Sequence, residues 1–416
     1  MATIKIISAR EILDSRGYPT IEAKVILSNG LFAKASVPSG LSKSSYESKE
    51  LRDNNLKRYD GLGVLMAIKK ITEIIAPKLI GCNIIKQIEI DKILLNLDSS
   101  RDKINIGANT MLVVSLACAR AAALSEKIEL FLYLQKTYSF DELKIPVPLI
   151  NVFNGGQHAD TNLDFQEFLI IPQSNDILKN IEMGAAVFHE LGRVLEESDY
   201  DTDLGSEGGY APDLDSSVEA IELILAATIR ANYKPGKDLK LGVCVGSSIL
   251  YDKQSDKYLF NLDNSSLSSV NLTSLYEDWV KKYPFLYLED ALAEDAFEDW
   301  AKLTSVLGDK MIIAGSNIFA TKTERLREAL QAKVANAIVI KANQAGTLTE
   351  TVECIRLAKK HGYKLIISQR GSETNDDFIA DLAVAVGADY LKAGSLSRGE
   401  RIAKYNRLME IASLIS

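Results

Sequence analysis

Two lysines stand where lysines are seldom found. Lys341 ends the apolar run AIVIKA and Lys392 sits inside YLKAG, and burying an ammonium is costly unless a carboxylate pairs with it or its pKa falls. Comparable strand-end positions in the same part of the chain carry Glu167, Cys244, Glu289, Ser316 with Asn317, and Gln369 with Arg370. Lysines facing carboxylates form a proton-transfer set, because a desolvated lysine beside a second cation becomes a usable base. The plainer account is that Lys341 and Lys392 only pair with carboxylates to fill space. Arg370 and Glu289 at equivalent strand ends weigh against it.

Such groups converge only if their strands do. From residue 145 onward short apolar runs recur, each with helix-compatible sequence nearby: PVPLINVF, FLIIP, LKLGVCV, FLYLED, MIIAG, AIVIKA, KLIISQ and YLKAG. The last five start at Phe285, Met311, Ala337, Lys364 and Tyr390, a spacing of 26 or 27 residues, which suits a repeated strand, helix and two turns. Eight strands predict a closed βα barrel whose mouth gathers the strand ends. The first two runs lie too close for a helix between them, so the barrel should begin irregularly, with a hairpin.

The first forty residues alternate as strands, TIKIISAREIL, TIEAKVILSNG and LFAKASVP, which predicts a three-stranded antiparallel meander. Helical spacing follows from Gly63 to Ala76, stopped by Pro77, and from Gly107 to Leu124. The expected organisation is therefore an α+β domain over residues 1–135, then a barrel domain over 143–416.

With 47% hydrophobic and 25% charged residues among 416, the chain is an ordinary folded protein rather than a disordered or fibrous one. A net charge of −8 gives no broad attraction to nucleic acid or anionic membrane and favours a small-molecule partner. Cys82, Cys118, Cys244 and Cys354 form no CxxC pair, which fits a reducing compartment. The start, MATIKIISAREILDSRG, reads as a strand rather than a signal peptide, and no apolar stretch looks long enough to cross a bilayer. A cytoplasmic protein is expected.

Seven stretches, LDSRGYPTIEAKV, VPSGLSKSSYESKELRD, INVFNGGQHADTNLDFQEFLIIP, GSEGGYAPD, FLYLEDALAEDAFEDW, KANQAGTLTE and RGERIAKYNRLMEI, resemble enolase, in order and across essentially the whole chain. The resemblance implies a glycolytic lyase that dehydrates 2-phosphoglycerate, a phosphorylated hydroxy acid, to phosphoenolpyruvate. It implies Lys341 as the base, Glu207 as the acid assisting hydroxide loss, and Glu167 and His158 in support. Lys392 would hold the substrate carboxylate and Arg370 the phosphate, with Gln166 and Ser39 also on the substrate side. Ser39 lies in a lid loop where the family takes a second magnesium. The resemblance also implies Mg2+ on three carboxylates, of which only Glu289 stands in place.

The family's Gly-Met-Asp-Val reads Gly242, Val243, Cys244, Val245 here, and its Gly-Asp-Asp-Leu reads Gly315, Ser316, Asn317, Ile318. A thiol and a hydroxyl do not replace two hard anionic ligands. Asn317 and Asp290 are the candidate substitutes. Ser206, Gln369 and Gly371 stand for an Asp, a His and a Ser, and Lys43 and Ser44 in the lid stand for a Thr and a Gly, which puts lid closure in question. Three readings stay open: a weakened enolase, a catalytically inactive homologue with a binding or structural role, and a related proton abstraction using Mn2+ or Zn2+ on Cys244 and Glu289. For the last, Cys244 as a small core residue is the rival explanation.

The resemblance further implies a homodimer, in which Glu22 meets a partner arginine whose position is Glu410 here, leaving Arg407 to take over. His189 and His361 read as structural, since neither is at a strand end. Cys118 and Cys354 read as core fillers, and GSEGGY lacks the lysine of a phosphate loop.

Overall fold

The alternating N-terminal segments form the meander. In the computed structural model, which describes residues 2–41 and 43–415, β1 (Ile4–Leu13), β2 (Pro19–Leu27) and β3 (Phe32–Ser36) pair antiparallel in that order. Their inward residues Ile21, Ala23 and Val25 are fully buried, as expected when one face of a sheet meets a helix.

That helix, Ala108–Glu126, is buried on nearly every face. It is long and apolar enough by length and composition to cross a membrane, which corrects the expectation that no stretch is. Alanine runs let it pack closely between the sheet and its neighbours, so its apolar surface is already covered by protein.

Pro77 does not stop its helix either. Leu65–Lys70 passes through a π turn at Ile71–Ile75 into Ala76–Leu79. Proline is tolerated there because the π turn has already shifted the regular ladder, with the Ala76 N–H reaching back to the Ile71 carbonyl, and the helix ends two residues later at Leu79.

Between the helices Gln87–Leu97, Ala108–Glu126 and Leu348–Lys360 lies Asp91. It accepts hydrogen bonds from Ser115 Oγ at 2.6 Å, Gln87 Nε2 at 3.0 Å, and Thr349 N and Oγ1 at 2.9 and 2.7 Å. Burial outweighs these bonds and pushes its carboxyl up to about 6. A raised carboxyl stabilises the fold fully below its unfolded value, about 3.9, and loses that contribution as pH rises through the folded value, a change of about 3 kcal/mol. Urea unfolding between pH 4 and 7 should show this slope in the wild type and a flatter one in Asp91→Asn.

The barrel follows the 26-residue rhythm. Its strands are β4 (Val147–Asn154), β5 (Glu167–Pro172) and β6 (Leu239–Cys244). A small separate sheet, β7 (Tyr251–Asp252), β8 (Lys257–Phe260) and β9 (Ser265–Leu267), interrupts them. Then come β10 (Phe285–Glu289), β11 (Ile312–Gly315), β12 (Ala337–Ile340), β13 (Lys364–Ser368) and β14 (Tyr390–Lys392), which closes on β4. Pairings β4–β5 and β5–β6 are antiparallel and the others parallel. Leu149, Leu169, Ile171, Tyr287, Val339 and Ile366 fill the interior, so the barrel is a packed core with a mouth, not a pore.

One placement needs correcting. Glu167 is not at a carboxyl end; it begins β5. It reaches the mouth because β5 runs antiparallel.

Candidate active site

Seven barrel strands and two loops bring the chemistry together. His158, Gln166, Glu167, Glu207, Cys244, Glu289, Asn317, Lys341, Arg370 and Lys392 all line one mouth cavity with a volume of about 20 Å³. That is room for roughly one water. Of the expected substrate-side residues only Ser39 lies elsewhere: its hydroxyl donates to Glu50 Oε2 at 2.8 Å and accepts from Arg52 Nη2 at 3.0 Å.

Register explains the centre. Cys244 on β6 pairs with Glu167 on β5 and with Glu289 on β10, so three side chains from adjacent strands share a level. Lys392 Nζ donates to Glu167 Oε2 at 2.7 Å and to Glu289 Oε2 at 2.6 Å. Burial disfavours its charge, but these neighbours raise its pKa well above the ordinary lysine value. Tyr287 Oη, two residues before Glu289 on the same strand face, also donates to Glu289 Oε2, at 2.6 Å.

Beside this lies a carboxyl pair. Burial, reinforced by the charge of Glu207, pushes Glu167 up to about 7. Burial opposes ionisation of Glu207 too, yet a hydrogen bond with Glu167 and the charges of Arg401, Lys392 and Lys341 hold it below the usual carboxylate value. The two shifts run in opposite directions, so a proton taken up by the pair favours Glu167 over Glu207. His158 Nδ1 is 3.7 Å from Glu167 and 3.5 Å from Glu207, and burial pushes its pKa down to about 4, leaving a neutral ring. Gln369 Nε2 donates to Glu207 Oε2 at 2.7 Å, and its carbonyl accepts from Arg401 Nη1. Lys341 Nζ forms no ion pair among the described residues.

Two groups bring ligand-type atoms within 4.8 Å of one another: His158 with Glu167 and Glu207, and Glu167 with Cys244 and Glu289. The donors do not fit Mg2+. The Cys244 thiol is kept protonated by burial and by Glu289. Glu289 Oε2 is already taken by Tyr287 and Lys392. Asp290, a candidate substitute, instead accepts from Ser316 N at 2.8 Å and Asn317 N at 3.0 Å. Of the buried oxygens at the lost ligand positions and Glu289, only Glu289 Oε1 and Ser316 Oγ are without a partner among the described residues, too little for an octahedral oxygen cage.

The lid is shut, and Ser44 helps to hold it. Ser44 Oγ lies 2.6 Å from Glu294 Oε2 and 2.9 Å from the Asn317 carbonyl. Ser39 and Ser372 exchange backbone hydrogen bonds, and the Tyr46 ring lies 3.7 Å under the Arg325 guanidinium. Arg370 donates to Glu47 through Nη1 at 2.8 Å and Nη2 at 3.3 Å. A Cβ on Gly371 would come within 2.7 Å of Leu41 Cβ, so the space a serine would need there is occupied by the lid.

Tyr287, Glu47 and Arg401 escaped the sequence reading. Tyr287 had a signal, since residues two apart on a strand share a face. Glu47 had none, because it meets Arg370 from 323 positions away. His189 and His361 are exposed and away from the mouth, as expected.

A capping α+β domain closed over an eight-stranded barrel whose mouth sets lysines against carboxylates defines a two-domain barrel protein with an acid–base mouth. Residues 4–134 match the enolase N-terminal domain family and residues 142–416 the enolase C-terminal TIM barrel domain family. The chain belongs to the enolase family, and at the coarse level its domains are those of an enolase-superfamily lyase.

Proposed function

We propose that this protein is a weakened phosphopyruvate hydratase, acting on 2-phosphoglycerate or a closely related phosphorylated hydroxy acid. The observation that carries the reading is that the proton-handling groups remain assembled around one cavity while one metal carboxylate of three remains. In this reading Lys341 takes the proton next to the substrate carboxylate. The Glu167–Glu207 pair supplies the proton that leaves with hydroxide: Glu167 stores it and Glu207 delivers it. Neutral His158 and the Gln369 amide orient the pair, Lys392 faces the substrate carboxylate, and Arg370 the phosphate. Mg2+, where the family uses it, would stabilise the dianionic intermediate; that support is what the exchange of two carboxylates for Cys244 and Ser316 removes.

A second reading, a non-catalytic homologue, is favoured by the Glu47–Arg370 pair, which places a carboxylate where a phosphate would bind. Phosphoenolpyruvate formation from 2-phosphoglycerate on pure protein, with and without Mg2+, separates the two. Restoring both ligands with Cys244→Asp and Ser316→Asp should raise Mg2+-dependent turnover roughly tenfold or more. No turnover in either protein, with both folded, would establish the non-catalytic reading.

We also propose a homodimer, supported by the family membership alone. Glu22 is already paired with Arg10 at 2.7 Å and Lys34 at 3.2 Å, and Arg407 with Asp381 at 2.8 Å and Glu129 at 2.7 Å. An interface salt bridge between them would have to displace these pairs.

A further inference from the structure

We infer that Lys392 is itself the resident cation of this mouth, and that it excludes divalent metal ions from Glu167, Cys244 and Glu289. Its ammonium lies at contact distance from both carboxylates, 2.7 and 2.6 Å, and the ligand-type atoms of the three residues lie within 4.8 Å of one another. A metal ion placed among those atoms would share the space with Nζ. All of these side chains are buried, so the ammonium cannot step aside into solvent while keeping its partners. Holding both cations would set three positive charges against Glu289 and a Glu167 whose proton burial favours, in a low-dielectric core where like charges repel strongly. Tyr287 adds a second donor to the oxygen Lys392 holds, Glu289 Oε2, at 2.6 Å, so that an ion would find only Oε1 of this carboxylate open.

The consequence is that one charge keeps a latent metal site closed. Lysine supplies fixed positive potential at the mouth without coordination chemistry, so its effect does not depend on cation supply. Neutralising it should expose two carboxylates and a thiol with the spacing of a mixed oxygen and sulfur site, suited to Mn2+ or Zn2+.

The test measures Mn2+ binding by electron paramagnetic resonance, a readout independent of turnover, so it stands or falls apart from the proposed reaction. Wild-type protein and Lys392→Arg should show no stoichiometric uptake. Lys392→Met should bind one Mn2+ at least tenfold more tightly than wild type, with a thermal shift to match, and Lys392→Met with Glu289→Gln should lose it. Lys392→Gln, which keeps a donor towards both carboxylates, serves if the methionine variant does not fold. One-to-one binding by the wild type that Glu289→Gln abolishes would overturn the inference. So would a folded Lys392→Met or Lys392→Gln that binds no better than wild type.

Discussion

Arg401→Met is expected to lower the free energy of unfolding by roughly 3–5 kcal/mol, the usual cost of deleting one member of a buried charged network. Arg401 is fully buried. Its Nη1 donates to the Arg370 carbonyl at 2.7 Å, and its Nη2 donates to the carbonyls of Ser206 at 3.0 Å and Gly371 at 2.7 Å. Methionine fills comparable volume but donates nothing, so three carbonyls and the Gln369 amide oxygen lose their donor in a place water does not reach. The loops at 205–208 and 369–371 are held to each other through this guanidinium and through the Gln369–Glu207 hydrogen bond, whose amide it also anchors. Thermal melting and urea titration would measure the loss; a change below about 1 kcal/mol would mean that other contacts hold the loops.

Glu47→Gln is expected to tighten binding of inorganic phosphate by roughly a hundredfold, about 2.7 kcal/mol. In the wild type an incoming dianion must displace a carboxylate that already meets Arg370 at two nitrogens. Glutamine keeps the shape and removes the charge, so the buried guanidinium gains a reason to accept an external anion. Without phosphate the variant should melt lower than the wild type, because Arg370 loses a charged partner. With millimolar phosphate it should recover, while the wild type changes little. Equal phosphate shifts in both proteins would show that Glu47 does not compete for the position.

The barrel was legible because its signal repeats. Five apolar runs at nearly constant spacing become β10 to β14, four of them starting at the residue read from sequence and β11 one later, at Ile312. The meander was legible because period-two alternation is dense over forty residues. The sheet β7–β9 was not, since strands of two to four residues carry too few alternations to be told from loop. Glu167 was found for a partly mistaken reason: the sequence shows a glutamate next to an apolar run but not which way the strand runs. The departures at Cys244 and Ser316 could be read from local motifs. Their structural counterpart could not, because Lys392, Tyr287 and Glu289 meet only once the barrel closes, and side-chain pairing across β5, β10 and β14 leaves no periodic trace.

The hairpin that opens the barrel has its own consequence. His158, Gln166 and Glu167 all come from the short connection between β4 and β5 and the first residue after it, whereas Cys244, Glu289, Ser316 and Lys392 each arrive on or just after a different strand. An insertion or a shift in that single connection moves several proton-handling groups at once. The cation side can be edited one side chain at a time, leaving the rest in register. The two halves of this mouth thus differ in how freely they can be re-engineered: one must be transplanted whole, and the other can be rewritten letter by letter.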